Sequence, residues 1–189
     1  MRGFYHFYQA PIAVTQERSG NLKHIVYDAV NEIVFYADPA NYRIRQISKY
    51  GVVSQAVGTG SLGNSSDEGE LPASSAMSNP AGVALTHATG AFGGHLVWTD
   101  TSNHKVRIWN RTTVPATLFG VLVPAGRVAT IAGTGSTGNV MGAALSSTFN
   151  FPTGLAYNSA NGYLYVSDTQ NHCVKAITPA GMVIAVAGT

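Results

Sequence analysis

The chain has 189 residues, a formal net charge of +2 and a single cysteine, Cys173. Hydrophobic residues make up 45% and charged residues 11% of it, which excludes an intrinsically disordered chain, because such chains are poor in apolar residues and rich in charge. The near-neutral charge gives no support for nucleic acid or an acidic membrane as the main partner, and one cysteine cannot form an internal disulfide. No apolar run approaches the roughly 18 residues of a membrane-spanning helix, so we predict no membrane span.

An internal repeat organises the chain. When three segments are aligned on a shared aspartate, residues 25–47 and 155–177 match without a gap, and residues 83–109 carry four extra residues in one turn. The aspartates are 62 and 68 residues apart. A long repeat of this kind is typical of solenoids and propellers.

Each repeat predicts four short strands separated by Gly, Asn, Asp and Pro. In the third repeat the strands are "GLAY", "YLYVSD", "CVKAI" and "MVIAVAG", which are rich in β-branched and aromatic residues. No segment shows a 3.6-residue period, so we predict no helix longer than one turn. Repeated four-stranded units are typical of β-propeller blades, and we therefore predict an all-β fold, a partial propeller that forms an open arc of about three blades.

We predict that the blades cover residues 25–60, 78–135 and 149–189 and are joined by Gly/Ser-rich connections. Residues 1–24 form an N-terminal segment that we interpret as the remnant of a preceding blade. Between the third and fourth strands of the second blade, Pro115–Pro124 is an apolar insertion, "PATLFGVLVP", which we expect to cover an exposed edge or to contact a partner.

The chain resembles the NHL repeat family in several spaced elements. The second and third repeats contain Pro-x-Gly, a strand that ends in Asp, an Asn-His pair and a closing Ala-Gly-Thr. These elements begin at Pro80, Asp100 and Asn103 in the second repeat and at Pro152, Asp168 and Asn171 in the third. The first repeat departs from the pattern, because Leu22–His24 replaces Pro-x-Gly and Tyr42 replaces the histidine.

The resemblance covers residues 25–189 and implies a propeller, which in this family typically has six blades. It implies function less firmly, because the family includes RNA-binding and protein-binding modules and some relatives of the fold are enzymes.

The aspartate and asparagine of each repeat are the candidate turn residues. Asp38, Asp100 and Asp168 each end a predicted strand, and Asn41, Asn103 and Asn171 follow three residues later. We predict that each aspartate accepts backbone N–H bonds across its turn, as in an Asx-turn, and that each asparagine completes the reversal in the left-handed conformation. A site copied in every blade would point in a different direction each time, so we interpret the motif as scaffold and not as a duplicated active site.

The histidines and the basic residues are the remaining candidates. His104 and His172 lie at equivalent places on different blades, and because zinc needs three or four convergent ligands we predict no metal; no other cofactor is indicated. The third strands carry a candidate basic strip, formed by Arg43, Arg45, Lys105, Arg107 and Lys175. Side chains two residues apart share a face of a strand, so the strip has the pattern of a phosphate contact; ordinary solvation of an outer strand explains the same pattern.

We therefore expect a non-catalytic NHL-repeat propeller segment that acts as a macromolecular interaction scaffold, with a protein as its partner. The alternatives are a propeller enzyme of the hydrolase or lyase type, whose site at the central mouth is completed by further blades, and an RNA-binding module. Nucleic acid is the less favoured partner, because no aromatic and basic stacking pattern accompanies the strip. An open arc leaves two flanking faces unpacked, so we expect either a longer gene product or self-association of two copies into a six-bladed ring.

Overall fold

The computed structural model describes residues 20–65, 69–86 and 94–188. Within them, short strands follow one another as antiparallel hairpins, because Gly, Asn and Pro turns separate segments of β-branched and aromatic residues. The first sheet has the order β1-β2-β3-β4, with β1 at Ile25–Asp28, β2 at Ile33–Asp38, β3 at Arg43–Ile47 and β4 at Val53–Val57.

The second sheet contains the apolar insertion. It begins with β5 (Pro80–Leu85), β6 (Leu96–Asp100) and β7 (Lys105–Trp109). A separate hairpin of β8 (Ala116–Leu118) and β9 (Val121–Val123) follows, and β10 (Val128–Ala132) then pairs with β7 to complete the sheet.

The third sheet has five strands in the order β11-β15-β14-β13-β12. They are β11 (Gly142–Ala143), β12 (Pro152–Asn158), β13 (Tyr163–Asp168), β14 (Cys173–Ile177) and β15 (Met182–Gly188). The short β11, which the repeat pattern did not predict, pairs with the outer edge of β15.

Helical structure in the described residues is limited to five 3₁₀ helices of three residues each. Three of them follow the second strand of a sheet, at Pro39–Asn41, Thr101–Asn103 and Thr169–Asn171. Of the other two, Pro72–Ser74 lies in the connection between the first and second sheets, and Ala144–Ser146 lies between β11 and β12 of the third sheet. None of them has the length and apolar character that a membrane-spanning helix requires.

The three sheets pack face to face, and their first strands, β1, β5 and β12, lie next to one another along one edge. Phe35 of the first sheet and Trp98 of the second share one hydrophobic core, and Val97 of the second and Leu164 of the third share another. This is the packing of propeller blades, so we name the sheets blades 1, 2 and 3. The predicted fold class, an all-β partial arc of blades, is confirmed. Most of residues 1–24 lie outside the described residues, so their interpretation as the remnant of a preceding blade stays a prediction. The predicted limits of the blades also stay predictions.

The base of the β8–β9 hairpin is anchored by a buried asparagine. Asn110 is 0% exposed, and its side-chain amide donates hydrogen bonds to three carbonyl oxygens at 2.9, 3.0 and 3.2 Å. The acceptors are Val114, Val123 and Pro124. One side chain thus holds both ends of the insertion against blade 2.

The tip of the same hairpin packs on blade 3. Phe119 is buried, and its ring meets the ring of Tyr157 edge to face with the centroids 6.5 Å apart. Gly120 has a φ of +79°, and a Cβ at this position would lie 3.0 Å from the carbonyl oxygen of Ala180. The close approach therefore requires glycine, and the tip of the insertion packs against the β14–β15 turn of the neighbouring blade.

Candidate functional site

The repeated aspartates lie where the second strand of each blade ends, and they are fully buried. Asp38, Asp100 and Asp168 are each 0% exposed. Each carboxylate accepts a hydrogen bond from the side-chain amide three residues later, and the donors are Asn41 at 2.9 Å, Asn103 at 2.9 Å and Asn171 at 2.7 Å. The Asp–Asn pair thus closes the 3₁₀ turn in all three blades.

A backbone N–H from the loop before the first strand also reaches each carboxylate. The donors are Gly20 at 3.2 Å from Asp38, Ser78 at 2.7 Å from Asp100 and Asn150 at 2.6 Å from Asp168. Each donor is 18 or 22 residues away along the chain, so the carboxylate ties the start of the first strand to the end of the second.

This geometry corrects two details of the predicted turn. The long-range N–H donors replace those of a local Asx-turn, a motif that occurs instead at Asp28, which accepts the backbone N–H groups of Val30 and Asn31 at 3.1 Å. The left-handed residue is one position after the asparagine, with φ of +51°, +54° and +53° at Tyr42, His104 and His172. The prediction that the asparagines take this conformation is wrong. The asparagines lie within the 3₁₀ helices, and from there their side-chain amides donate to the carboxylates.

The third partner of each carboxylate is a cation seven residues later. The Nε of Arg45 lies 2.7 Å from Asp38, and the Nζ of Lys175 lies 2.7 Å from Asp168. In blade 2 the Nη1 of Arg107 is farther away, at 3.8 Å from Asp100. Because both members of each pair are buried, the repeat encodes an internal ion pair in every blade.

The candidate basic strip is therefore not an exposed surface. Arg45, Lys105, Arg107 and Lys175 are all buried, with 3%, 4%, 0% and 0% exposed. Lys105 donates to the side-chain oxygen of Asn64 at 3.2 Å, and Arg43 is half-buried against Gly60. The strip is internal because these third-strand cations turn towards buried carboxylates and loop oxygens, and not towards solvent.

In blade 2 the cation seven residues after the aspartate also contacts other acceptors. Besides its 3.8 Å approach to Asp100, Arg107 donates to the carbonyl oxygen of Ala76 at 3.2 Å and lies 3.5 Å from a carboxylate oxygen of Glu70. Burial raises the pKa of Asp100 to about 6, although the hydrogen bonds from Asn103 and Ser78 and the charges of Arg107 and Lys105 oppose this rise.

A further ion pair, which the sequence did not indicate, joins blades 1 and 2. Arg111 lies 2.7 Å from Asp28 through its Nη2, and its guanidinium stacks 4.8 Å above the centroid of the Phe35 ring. Burial acts to raise the pKa of Asp28, but the hydrogen bonds from Asn31 and Arg111 outweigh it and lower the pKa. The only sign of this ion pair in the sequence is a basic residue just after β7. An alignment of the repeats does not show that this residue contacts an aspartate of blade 1.

Blade 2 holds blade 3 through a short set of hydrogen bonds. The hydroxyl of Thr101 donates to the carbonyl oxygen of Pro152 at 2.7 Å, and that of Thr99 donates to Thr153 at 3.4 Å. The backbone N–H of Phe151 donates to Nδ1 of His104 at 3.2 Å. The imidazole of His104 also meets the Phe151 ring edge to face, with centroids 4.7 Å apart.

Blade 3 carries the equivalent groups on its other side. When the blades are aligned on their aspartates, Thr99, Thr101 and His104 correspond to Ser167, Thr169 and His172, which are all exposed. They line a concavity of about 280 Å³ that also contains Cys173. Tyr165 and Ile184 continue the same face, at the positions that Val97 and Ala129 fill in the core between blades 2 and 3. We call Tyr165, Ser167, Thr169, His172 and Ile184 the open face of blade 3.

A larger cavity, of about 530 Å³, lies at the inner edge where the first strands meet. Lys23, His24 and Thr153 are among its lining residues. The Nδ1 of His24 accepts the backbone N–H of Val83 at 3.3 Å, so this imidazole links blades 1 and 2. Within the part of the chain that the structure describes, no three His, Cys, Asp or Glu side chains are close enough to hold a metal ion.

Comparisons with known proteins agree with the repeat geometry. Residues 149–177 match the NHL repeat. The chain is also 30% identical over 150 residues to NHL repeat-containing protein 2 from Homo sapiens and 29% identical over the same length to the Bos taurus protein of that name. The chain belongs to the NHL repeat family. Each match covers 76% of this NHL-repeat chain but only 18% of the relative, so the chain spans about a fifth of the length of these curated relatives.

Solved propeller structures resemble the NHL-repeat chain in fold. An auxiliary nutrient binding protein from Bacteroides ovatus superposes with a TM-score of 0.65 and 23% identity, over 84% of this chain and 37% of that one. A virginiamycin B lyase from Staphylococcus aureus superposes with a TM-score of 0.54 and 13% identity, over 90% of this chain and 42% of that one. At these identities the likeness concerns the arrangement of blades alone.

Proposed function

We propose that the chain is a non-catalytic interaction scaffold that binds protein through the open face of blade 3. The observation that carries this proposal is the correspondence between that face and the side of blade 2 that holds blade 3. Within the chain, two hydroxyl groups and one imidazole of blade 2 bind blade 3. Blade 3 has Ser167, Thr169 and His172 at the same three positions. The partner that fits is a further blade, which presents two carbonyl oxygens and one N–H group.

The chain itself contains such a partner surface, on the far side of blade 1. Residues 21–23 correspond to Phe151–Thr153, which supply the N–H and the two carbonyls in blade 3, and they are exposed. Asn21 has a positive φ of 26°, as Phe151 has one of 51°. Ile25 corresponds to the core residue Leu155 and is 61% exposed. A second copy can therefore place its blade 1 on the open face of blade 3.

Two copies related by a twofold axis make this contact twice. In the proposed assembly each copy supplies an open face of blade 3 and a far side of blade 1, and the three described blades of each copy together form a ring of six. Such a heterologous contact closes only if the rotation between copies is correct, and open chains form otherwise. We therefore propose a second copy as the protein partner of the open face.

The alternatives have less support. Four of the five basic residues that suggested RNA binding are buried within the blades and Arg43 is half-buried, so the strip does not form an exposed phosphate-binding surface. The inner cavity presents Lys23 and His24, but no carboxylate is among its described lining residues, and His24 is engaged with Val83.

The test is association measured by sedimentation velocity over a range of protein concentrations. The chain should sediment as a species larger than the monomer, and Ile184→Lys should shift it towards the monomer because a charge is placed in the proposed contact. The matched control is Leu122→Lys, which changes an equally apolar but 68% exposed residue of the hairpin, away from the open face. If both variants dissociate equally, or neither does, the open face is not the binding surface.

A further inference from the structure

The junction between blades 2 and 3 depends on a neutral imidazole. The Nδ1 of His104 accepts the backbone N–H of Phe151 at 3.2 Å, and the two rings pack edge to face with centroids 4.7 Å apart. A ring nitrogen that accepts a hydrogen bond carries no proton, so the neutral imidazole of His104 has its proton on Nε2. Protonation of Nδ1 would remove the acceptor and place one N–H group against another.

The surroundings of His104 favour the neutral ring. The residue is 8% exposed, and burial lowers its pKa, although the charge of Asp168 from blade 3 opposes this effect. Asp168 is itself buried and paired with Lys175 at 2.7 Å. On the strand of His104, the next charged group is Lys105, whose ammonium donates to Asn64 at 3.2 Å. The contact between blades 2 and 3 is therefore compatible with neutral pH and is opposed in acid.

The open face of blade 3 repeats this imidazole at the junction proposed for a second copy. His172 corresponds to His104, is exposed, and has nearly the same left-handed φ, +53° against +54°. On the far side of blade 1, Asn21 corresponds to Phe151 and presents its backbone N–H. Because asparagine has no ring, this junction lacks the edge-to-face contact and depends more on the hydrogen bond to the imidazole. The corresponding residue between blades 1 and 2 is Tyr42, so an imidazole at this position is confined to the other two junctions.

Few other ionisable groups lie at the proposed junction. Among the described residues that line the concavity with His172, the other titratable group is the thiol of Cys173, whose pKa burial raises. On the second copy, Lys23 and His24 lie in or next to the segment that meets the open face, and the Nδ1 of His24 already accepts the N–H of Val83. The positive charge of Lys23 adds to the cost of a second positive charge on His172.

We propose that protonation of His172 prevents the association of the open face with a second copy, so that the copies join at neutral pH and separate in acid. This inference rests on the proposed function, because it assigns a regulation to the same contact. Histidine is the side chain whose charge normally changes between about pH 5 and 8, and a contact that excludes the proton must weaken as the proton binds. Each junction that loses its acceptor should weaken about tenfold, because an N–H group is left unpaired.

The experiment is sedimentation velocity of the unmodified chain over a range of concentrations, at about pH 7.5 and about pH 5. We expect the apparent dissociation constant to rise about tenfold or more at the lower pH. In His172→Asn the change with pH should disappear, because the side-chain oxygen of asparagine takes the place of Nδ1, does not titrate and suits the left-handed backbone. Asp100→Asn is the matched control. It removes a carboxyl group whose pKa burial raises to about 6, away from the open face, and the change with pH should remain.

A second measurement does not depend on a variant. Association that excludes the proton from His172 must lower the pH at which this imidazole titrates, because the coupling between the two binding events is reciprocal. The imidazole resonances of His172, followed by nuclear magnetic resonance in the isotope-labelled chain, should therefore titrate at a lower pH in a concentrated sample than in a dilute one.

Three results overturn the inference. They are association that is equally strong at both pH values, a change with pH that persists in His172→Asn, and the same titration midpoint of His172 in dilute and concentrated samples. The second result would assign the change to another group, such as His24. If His172→Asn fails to fold, the two midpoints decide. A monomer at every pH and concentration would refute the proposed function itself, and with it the contact that is regulated.

Discussion

Replacing Asp168 by asparagine should destabilise the chain by about 3–5 kcal/mol, because it leaves a buried lysine without its counterion. Asp168 and Lys175 are both 0% exposed and lie 2.7 Å apart. The asparagine keeps an oxygen for the N–H of Asn150, but its NH2 group replaces the oxygen that accepts from Asn171 and Lys175, so the lysine loses its counterion and an acceptor. The loss of a single neutral hydrogen bond would destabilise the chain by only about 1 kcal/mol. A measured loss well above this value therefore indicates the broken ion pair and not the turn hydrogen bond alone.

The assay is urea unfolding followed by the fluorescence of Trp98 and Trp109, with the slope of the transition checked for constancy. The double variant Asp168→Asn/Lys175→Met should recover most of the loss, since a hydrophobic side chain of similar length replaces the unpaired charge. Glu32→Gln is the control: the Lys49–Glu32 pair is similarly short, at 2.9 Å, but its side chains are 48% and 53% exposed, and the midpoint should not move. A loss below about 1 kcal/mol in Asp168→Asn, or no recovery in the double variant, refutes the reasoning.

Three further predictions concern blade 2, the hairpin and nucleic acid. Burial raises the pKa of Asp100 to about 6, above an unfolded value of about 3.9, so the folded state holds the proton more tightly and stability should fall, by on the order of 3 kcal/mol, as pH rises from about 4 to about 6. Unfolding measured across this range should show the loss in the unmodified chain and not in Asp100→Asn, and equal slopes would contradict it. Phe119→Ala should cost about 3–5 kcal/mol in urea unfolding, because the buried ring joins the hairpin to blade 3, and a loss near zero would mean that the hairpin is not fastened there. The chain should not bind single-stranded RNA in filter-binding assays, and a submicromolar, salt-sensitive complex would show that cations other than the buried ones contact phosphate.

The repeat pattern predicted the fold because it records local structure. A strand that ends in Asp, followed by Asn three residues later, occurs in all three blades, and each copy folds into the same strand and 3₁₀ turn. The backbone N–H donors of the aspartates were not predictable, because they lie 18 or 22 residues away and the spacing of the motif does not indicate which loop returns to it.

The basic strip shows where pattern reasoning fails. Arg45 and Lys175 have the spacing of solvent-exposed strand residues, and long cationic side chains are rarely buried. Their burial depends on a carboxylate that is itself buried by the adjacent strand and loop, which is a property of the assembled blade.

The central claim, that the open face of blade 3 binds a further blade, is tested most directly by the reactivity of a thiol placed on that face, in the variant Ser167→Cys/Cys173→Ser. Ser167 is exposed on the open face, whereas Cys173, the only cysteine in the chain, pairs with Asp168 and lies on the side of the sheet that faces blade 2, so serine replaces it. Alkylation by iodoacetamide, followed by mass spectrometry at a fixed pH, should slow as the protein concentration rises, in step with the increase in mass seen by sedimentation. A constant alkylation rate while the mass increases, or a monomer at every concentration, would contradict the account.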